Sequence, residues 1–241
     1  MFHRVNACPP EANWPQLYIH PTTFAATMRD LKAAHAVSLG LDDPLVPGFA
    51  RPDGFVLTFD DGFVSALKHA GPVLAELGFR AINFLVADRL GMRNEWDLGV
   101  DYTMEPLMDR SQVREWLSLG HDIGGHTLTH PFLDQIPLDW AREEITAGKK
   151  KLEDMFGREV RHFAYPYGAF NAALVELVGE AGYATACTTG PGVAGPGSQR
   201  LLLPRTSVDD AYVANLSQGE PGATSLDRGP IGSSGVPVER T

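Results

Sequence analysis

The stretch TFDDGF, residues 58–63, runs from apolar residues directly into two adjacent carboxylates and a glycine. It overlaps the run FVLTFD (55–60), which predicts a buried strand. Ligands of parallel α/β folds bind at the carboxyl ends of the strands, and Gly62 lets the chain turn there without a Cβ clash. Asp60 and Asp61 could therefore divide two tasks, one holding a cation and the other accepting a proton. A turn with a helix cap is the alternative interpretation.

Around this strand, apolar runs of strand length alternate with segments whose apolar residues recur at helical spacing. This alternation predicts βα units around a mostly parallel sheet. The longest helix is expected from about Asp139 to Phe156, ended by Gly157, and shorter helices are expected to be capped by Ser111 and Asn171. About seven strands favour an α/β fold of the distorted (β/α)7 barrel type. The expected strands are FHRV, FVLTFD, RAINFLVA, HDIGG, RHFAYP, YATACTT and LLLPR.

The composition limits the partners of this chain. Its 241 residues are 44% hydrophobic, enough for one core, and 20 Lys plus Arg against 30 Asp plus Glu give a charge of −10 that disfavours nucleic acid. Two cysteines, Cys8 and Cys187, exclude a disulfide framework and favour free thiols. No apolar run reaches the roughly 18 residues of a membrane span, and the start lacks the features of a signal peptide. We expect a cytoplasmic protein, whose oligomeric state the sequence does not indicate.

Two stretches depart from the βα rhythm. Residues 89–110 form a long excursion, which predicts that they shape the rim of a site. Within it, Trp96 and Asp97 are candidates to stack on and hydrogen-bond a sugar, although a tryptophan that packs against its own loop is an equal alternative. Residues 216–241 are rich in Gly, Ser and Pro, which predicts a disordered tail behind one domain spanning residues 1–215.

The second chemical motif is HTLTH, residues 126–130. Two histidines separated by three residues lie on one face of a helical turn, so both rings are predicted to reach one metal ion. An isolated HxxxH is more often a chance pairing, but the separate pair of aspartates lowers the weight of that alternative. Two histidines and one carboxylate leave coordination positions open, as in catalytic metal sites.

The third motif is FAYPYG, residues 163–168. A tyrosine followed by a glycine at a strand end can present both a ring and a backbone N–H to a ligand. Taken alone, this motif is better interpreted as a plain corner between a strand and a loop.

Together, the three motifs resemble the polysaccharide deacetylase family, also described as the NodB-homology or family 4 carbohydrate esterases. They occur in the expected order across most of residues 1–215. The resemblance implies a distorted barrel that binds a divalent metal ion, with Zn²⁺ favoured, and removes acetyl groups from an acetylated carbohydrate substrate. By motif position, Asp60 resembles the catalytic base. The resemblance also implies the metal ligands Asp61, His126 and His130, an oxyanion contact from the backbone N–H of Tyr167, and substrate contacts from Tyr165 and Pro166.

Two departures from the family pattern concern supporting residues. The late histidine that often serves as the acid is missing, but FHRV resembles the first strand of a permuted branch that includes exopolysaccharide deacetylases. We therefore predict His3 as the general acid; a frayed terminus or a core histidine is the alternative. Ala164 replaces an arginine that normally orients the base, and Arg205 is predicted to pair with Asp60 instead. Arg161 is a less favoured substitute, since it lies at the start of its strand.

Two other functions stay open from the sequence. One is hydrolysis of a small non-peptide amide, as in the allantoinase-like relatives of this barrel. The other is a catalytically silent glycan-binding domain, although the presence of both aspartates and both histidines argues against it. The sequence does not indicate which acetylated sugar is the substrate or which metal is bound.

Overall fold

The computed structural model describes residues 1–45, 51–99, 101 and 103–217. Within these residues the strands are short, and six α-helices occur besides several short 3₁₀ and π segments. In chain order they are β1 (Arg4–Val5), β2 (Tyr18–Ile19), α1 (Pro21–Ala33), β3 (Val37–Ser38), β4 (Gly54–Phe55), β5 (Leu57–Phe59), α2 (Gly71–Leu77), β6 (Ala81–Leu85), α3 (Arg110–Ser118), β7 (Asp122–Gly125), α4 (Leu138–Phe156), β8 (His162–Ala164), α5 (Ala172–Glu180), β9 (Thr185–Cys187) and α6 (Asp210–Ser217).

Five of the strands form one parallel sheet in the order β5-β6-β7-β8-β9. Parallel bridges extend it at both edges, from Phe2 to Phe59 on β5 and from Leu203 to Cys187 on β9. Two further pairs, β1 with β2 and β3 with β4, are also parallel. The carboxyl ends of the five main strands therefore face one end of the molecule, where ligands of such folds bind.

The two edges of the sheet meet through the main chain. The N–H of Val208 donates to the carbonyl of Met1 at 3.0 Å, and the Met1 nitrogen donates to the carbonyl of Thr206 at 2.7 Å. The sheet thereby curls into a distorted barrel, with FHRV and LLLPR as the two added segments. The predicted α/β barrel is confirmed.

The core lies between the curled sheet and the surrounding helices. Phe59 of β5 packs against Phe24 of α1 and Trp116 of α3, with ring centroids 6.0 and 5.7 Å apart. Each fully buried side chain of this size contributes about 1.5–3 kcal/mol. The two glycines of β7 leave no room for a side chain: a Cβ at Gly124 would lie 2.4 Å from the Phe84 ring. The glycines of HDIGG thus permit close packing next to the strand end.

The helix ends follow the sequence signals with one exception. Gly157 adopts a left-handed conformation after α4, and the Asn171 side chain accepts a hydrogen bond from Leu174 N–H to cap α5. Ser111 is wrong as a cap: Asp109 caps α3 through a reciprocal pair of hydrogen bonds with Gln112. Both aspartate and serine are good caps, and only Asp109 has a glutamine three residues later.

The predicted tail lies mostly outside the described residues. Its first two residues, 216 and 217, complete α6, and residues 218–241 are not described. Both cysteines are free, as predicted; Cys8 is exposed and Cys187 is buried. Within the described residues, none of the helices is long and apolar enough to span a bilayer.

Candidate active site

Asp60 follows β5 directly and is held by a buried arginine. Arg205 Nη1 and Nη2 donate to the two carboxylate oxygens of Asp60, each at 2.7 Å. Arg205 also donates to the Thr188 carbonyl at 2.9 Å, which fixes the plane of its guanidinium. The predicted pairing is therefore confirmed, and Arg205, from the LLLPR segment, supplies the guanidinium that is missing at Ala164. Arg161 points elsewhere and pairs with Asp42, as expected from its position at the start of its strand.

This pairing determines the charge of Asp60. Burial raises the pKa of the carboxyl, but the charge and hydrogen bonds of Arg205 outweigh it and hold the pKa below its usual range. Asp60 is thus ionised at neutral pH although it is only 2% exposed. A buried carboxylate in this state can accept a proton from a group beside it.

Asp61 lies against both histidines of the second motif. Its Oδ1 is 3.4 Å from His126 Nε2 and 3.3 Å from His130 Nε2. One ligand atom from each of the three residues lies within 4.8 Å of the other two, and all three residues are buried. Two imidazole nitrogens and one carboxylate oxygen form a donor set that suits Zn²⁺ and similar first-row ions.

The protonation of these residues also fits a cation. Burial raises the pKa of Asp61, but hydrogen bonds from His126 and His130 outweigh it, and the pKa falls well below its usual range. Burial lowers the pKa of His130, although Asp61 opposes this change. An ionised carboxylate and a neutral imidazole are the forms that coordinate a metal. The residues present therefore fit a divalent ion.

The two rings converge for a different reason than the helical spacing predicted. The histidine loop, residues 126–130, is not helical, and Thr127 and His130 have φ angles of 67° and 70°. The Thr127 hydroxyl accepts a hydrogen bond from His130 N–H at 3.0 Å. His126 Nδ1 lies 2.7 Å from the carbonyl of Ala164, which can only accept, so Nδ1 donates and Nε2 faces Asp61. The helical turn was a wrong prediction, whereas the convergence is confirmed.

Backbone strain is concentrated at this end of the barrel. Among the described residues, five that are not glycine have positive φ, and four of them are Asp61, Thr127, His130 and Tyr167. Each such conformation costs of order 1–3 kcal/mol and persists only where the surroundings enforce it. Clusters of this kind are typical of functional sites.

His3 lies within the electrostatic field of both aspartates. It is half-buried on the edge segment next to β5. Burial lowers the pKa of His3, and the negative charges of Asp61 and Asp60 oppose that change. The structure thus brings His3 to the candidate site, and its role as the acid stays a prediction.

The third motif contributes one residue to the site surface and two to the core. The Tyr167 ring lies between His130 and Phe132, with centroids 4.6 and 3.6 Å away. Tyr165, by contrast, is fully buried and donates its hydroxyl to the Leu201 carbonyl at 3.2 Å, and Pro166 is also buried. The prediction that Tyr165 and Pro166 contact substrate is therefore not supported, because both residues are buried.

The described part of the excursion at residues 89–110 reaches the site through Trp96, as predicted. The Trp96 ring stacks on His130 with a centroid distance of 4.6 Å and an interplanar angle of 30°. Asp97 is buried, and one of its oxygens accepts from both Arg4 at 3.0 Å and Asn94 at 2.7 Å. Asp97 therefore anchors the excursion to β1 instead of offering a carboxylate to a sugar.

Two supporting residues were missed from the sequence. Arg4 is fully buried between Asp97 and Asp101, and its guanidinium lies over the ring of Phe63 at 4.7 Å. Glu144 accepts three hydrogen bonds from the histidine loop. A signal existed for each: Arg4 is a charge inside a predicted strand, and Glu144 lies on the side of α4 that carries its buried residues.

Several known proteins resemble this chain in sequence. A family profile described as Polysaccharide deacetylase matches residues 50–186, more than half of the chain. YxkH of Bacillus subtilis (strain 168) is 26% identical over 153 residues, which are 64% of this chain and 50% of that protein. A chitin deacetylase from Pestalotiopsis sp is 28% identical over 132 residues, which are 55% of this chain and 40% of that protein.

A solved structure shares the fold. The Streptococcus pyogenes deacetylase PplD in complex with acetate superposes with a TM-score of 0.77 over 90% of this chain and 95% of that chain. The identity is 22%, so this likeness shows the fold alone. The chain spans half or less of the length of the curated relatives it matches.

Proposed function

Because this chain belongs to the polysaccharide deacetylase family, we propose that it is a metal-dependent hydrolase that removes acetyl groups from N-acetylated sugars of a polysaccharide or a glycan precursor. The observation that carries the proposal is the cluster of Asp61, His126 and His130 beside an ionised, arginine-paired Asp60. Polar groups of these kinds, buried at the carboxyl end of a barrel, suit the hydrolysis of an amide.

The residues would divide the reaction as follows. Asp61, His126 and His130 would hold a divalent ion, which supplies Lewis acidity to a water molecule and to the acetyl carbonyl when bound. Asp60 accepts the proton of the attacking water, and Arg205 holds the carboxylate in place. His3 then donates a proton to the departing amine, because an amine cannot leave as an anion.

Stabilisation of the oxyanion is assigned to the backbone of the third motif. Tyr167 has a φ of 59°, which turns its main chain out of the strand direction just after β8. We assign its N–H to the developing negative charge, a contribution typically worth about 10²-fold or more in rate.

The cytoplasmic location of the protein stays a prediction.

The proposal is tested by acetate release from a panel of N-acetylated oligosaccharides in the presence of Zn²⁺. We expect release by the wild type and a loss of about 10²–10⁴-fold in Asp60→Asn, which keeps all three candidate ligands. If the protein instead hydrolyses ureides and releases no acetate from the oligosaccharides, the alternative of a small-amide hydrolase would be favoured. Binding of the oligosaccharides without turnover would favour a glycan-binding domain.

A further inference from the structure

Glu144, on the first half of α4, is bonded to the histidine loop through both carboxylate oxygens. Oε2 accepts from the backbone N–H groups of Leu128 and Thr129, both at 2.9 Å. Oε1 accepts from the Thr129 hydroxyl at 2.6 Å. All three donors lie between the two histidines in sequence. One half-buried carboxylate therefore satisfies the polar groups at the centre of this loop.

The loop is held against α4 at close range. A Cβ at Gly148, one turn beyond Glu144, would lie 3.0 Å from the carbonyl carbon of Thr127. The Thr127 carbonyl in turn accepts from the N–H of Ala87, just beyond β6. The loop is thus fixed on one side by the sheet and on the other by Glu144.

This support is needed because the loop is strained. Thr127 and His130 have positive φ angles, which cost of order 1–3 kcal/mol each. Loss of the three Glu144 hydrogen bonds would let both residues relax toward common conformations. The His126 and His130 rings would then separate, since each is attached to an end of the segment that changes.

We propose that Glu144 is a positioning residue that sets metal affinity by holding the strained histidine loop in its binding conformation. Its role rests on the proposed metal site, but its contacts are to backbone and threonine groups instead of to the ion. The site therefore extends to a carboxylate 16 residues away from Leu128 in sequence.

The test compares Zn²⁺ affinity, measured by chelator competition, in Glu144→Ala, Glu144→Gln and Glu143→Ala. Replacement of an outer support of metal ligands typically weakens metal affinity by about 10–100-fold, which we expect for Glu144→Ala. Glutamine keeps an oxygen that can accept both N–H groups, and its amide can donate to Thr129. We therefore expect Glu144→Gln to stay within about threefold of the wild type. Glu143 is exposed on the same helix and is the matched control.

A second measurement separates loop positioning from a general loss of structure. In the metal-free proteins, amide hydrogen exchange at Leu128 and Thr129 should be faster in Glu144→Ala than in Glu143→Ala, with exchange in β6 unchanged. If Glu144→Ala does not fold, the pair Thr129→Val and Thr129→Ser decides, since only serine retains the hydroxyl that Glu144 accepts from. We expect weaker Zn²⁺ binding in Thr129→Val alone.

Equal affinities of Glu144→Ala and Glu143→Ala, or of the two Thr129 variants where those are used, would overturn the inference. A wild type that binds no Zn²⁺ would instead contradict the proposed metal site. The exchange comparison would then still report whether Glu144 holds the loop. The two failures are therefore distinguishable.

Discussion

The two ends of the barrel both carry charged side chains, but they bury them differently. At the carboxyl end, the side chains of Asp60 and Arg205 are 3% and 5% exposed. At the amino end, a cavity of about 350 Å³ is lined by Asp42 and Arg161, whose paired side chains are 30% and 47% exposed. Burial of charge is costly unless a partner compensates, so the carboxyl end retains an arrangement that solvation alone would disfavour.

The backbone repeats this contrast. Positive φ angles occur at the carboxyl end in Asp61, Thr127, His130 and Tyr167. Among the described residues that line the amino-end cavity, only glycine has a positive φ angle. Half-exposed ion pairs need no strained backbone, because water satisfies whatever the partner does not. Buried charge together with strain, and not charge alone, distinguishes the candidate active site.

The largest expected difference between the two ends is in stability. Arg205→Met leaves the Asp60 carboxylate buried without its partner, which should lower the free energy of unfolding by about 3–5 kcal/mol. Arg161→Met at the amino end should cost less than about 1 kcal/mol. Urea denaturation of both variants measures the difference. Similar losses of stability in the two variants would contradict this difference between the two ends.

His3 should affect turnover without affecting metal binding. We expect His3→Ala to lower turnover by about 10²-fold, which is about 2.7 kcal/mol, because the departing amine loses its proton donor. Metal content should stay at the wild-type level. His69→Ala, an exposed histidine, is the control. Unchanged turnover in His3→Ala would remove this residue from the mechanism.

The amino end should respond to acid. Burial lowers the pKa of His121 from 6.5 to about 4, and neither ring nitrogen has a hydrogen-bond partner among the described residues. Between these values the unfolded chain binds a proton that the folded protein does not. The contribution of His121 to the free energy of unfolding is therefore complete above pH 6.5 and is lost as the pH falls toward 4.

Because His121 lines the cavity, its charged form would be partly screened there, and we expect a loss of about 2 kcal/mol from this group. His121→Phe keeps a ring against Trp116 and should show a shallower decline in stability below pH 6.5. The exposed His69→Phe is the control. Parallel pH profiles for His121→Phe and the wild type would refute the assignment.

The smallest expected effect concerns Trp96 at the carboxyl end. Loss of its stacking on His130 in Trp96→Ala should weaken Zn²⁺ affinity by about fivefold, since aromatic pairs contribute about 0.5–1.5 kcal/mol. Trp140 is 67% exposed, and its alanine variant should be neutral. A raised KM with unchanged metal affinity would assign Trp96 to the sugar instead.

The fold and the central residues could be predicted from sequence because their signals are local or additive. The alternation of strand and helix patterns indicated the barrel, and the motifs indicated that Asp60, Asp61 and both histidines belong to one site. The geometry of the histidine loop could not be predicted, because tertiary contacts impose its positive φ angles. Spacing alone suggested a helical turn.

Inward and outward orientation was another source of error. Tyr165 and Asp97 were expected to face a sugar, and both are buried. Each is turned inward by a partner that is distant in sequence, the Leu201 carbonyl for Tyr165 and Arg4 for Asp97. Arg205 is also distant in sequence from Asp60, but it could be predicted because the family resemblance indicated an arginine partner for Asp60.

The central claim is that Asp61, His126 and His130 at the carboxyl end together hold one divalent ion. Anomalous diffraction from Zn²⁺-soaked crystals of the wild type and Asp61→Ala tests it most directly. We predict one zinc ion per wild-type chain, bonded to Asp61, His126 and His130, and no ion there in the variant. A zinc ion bound only elsewhere, or none in the wild type, would contradict the account.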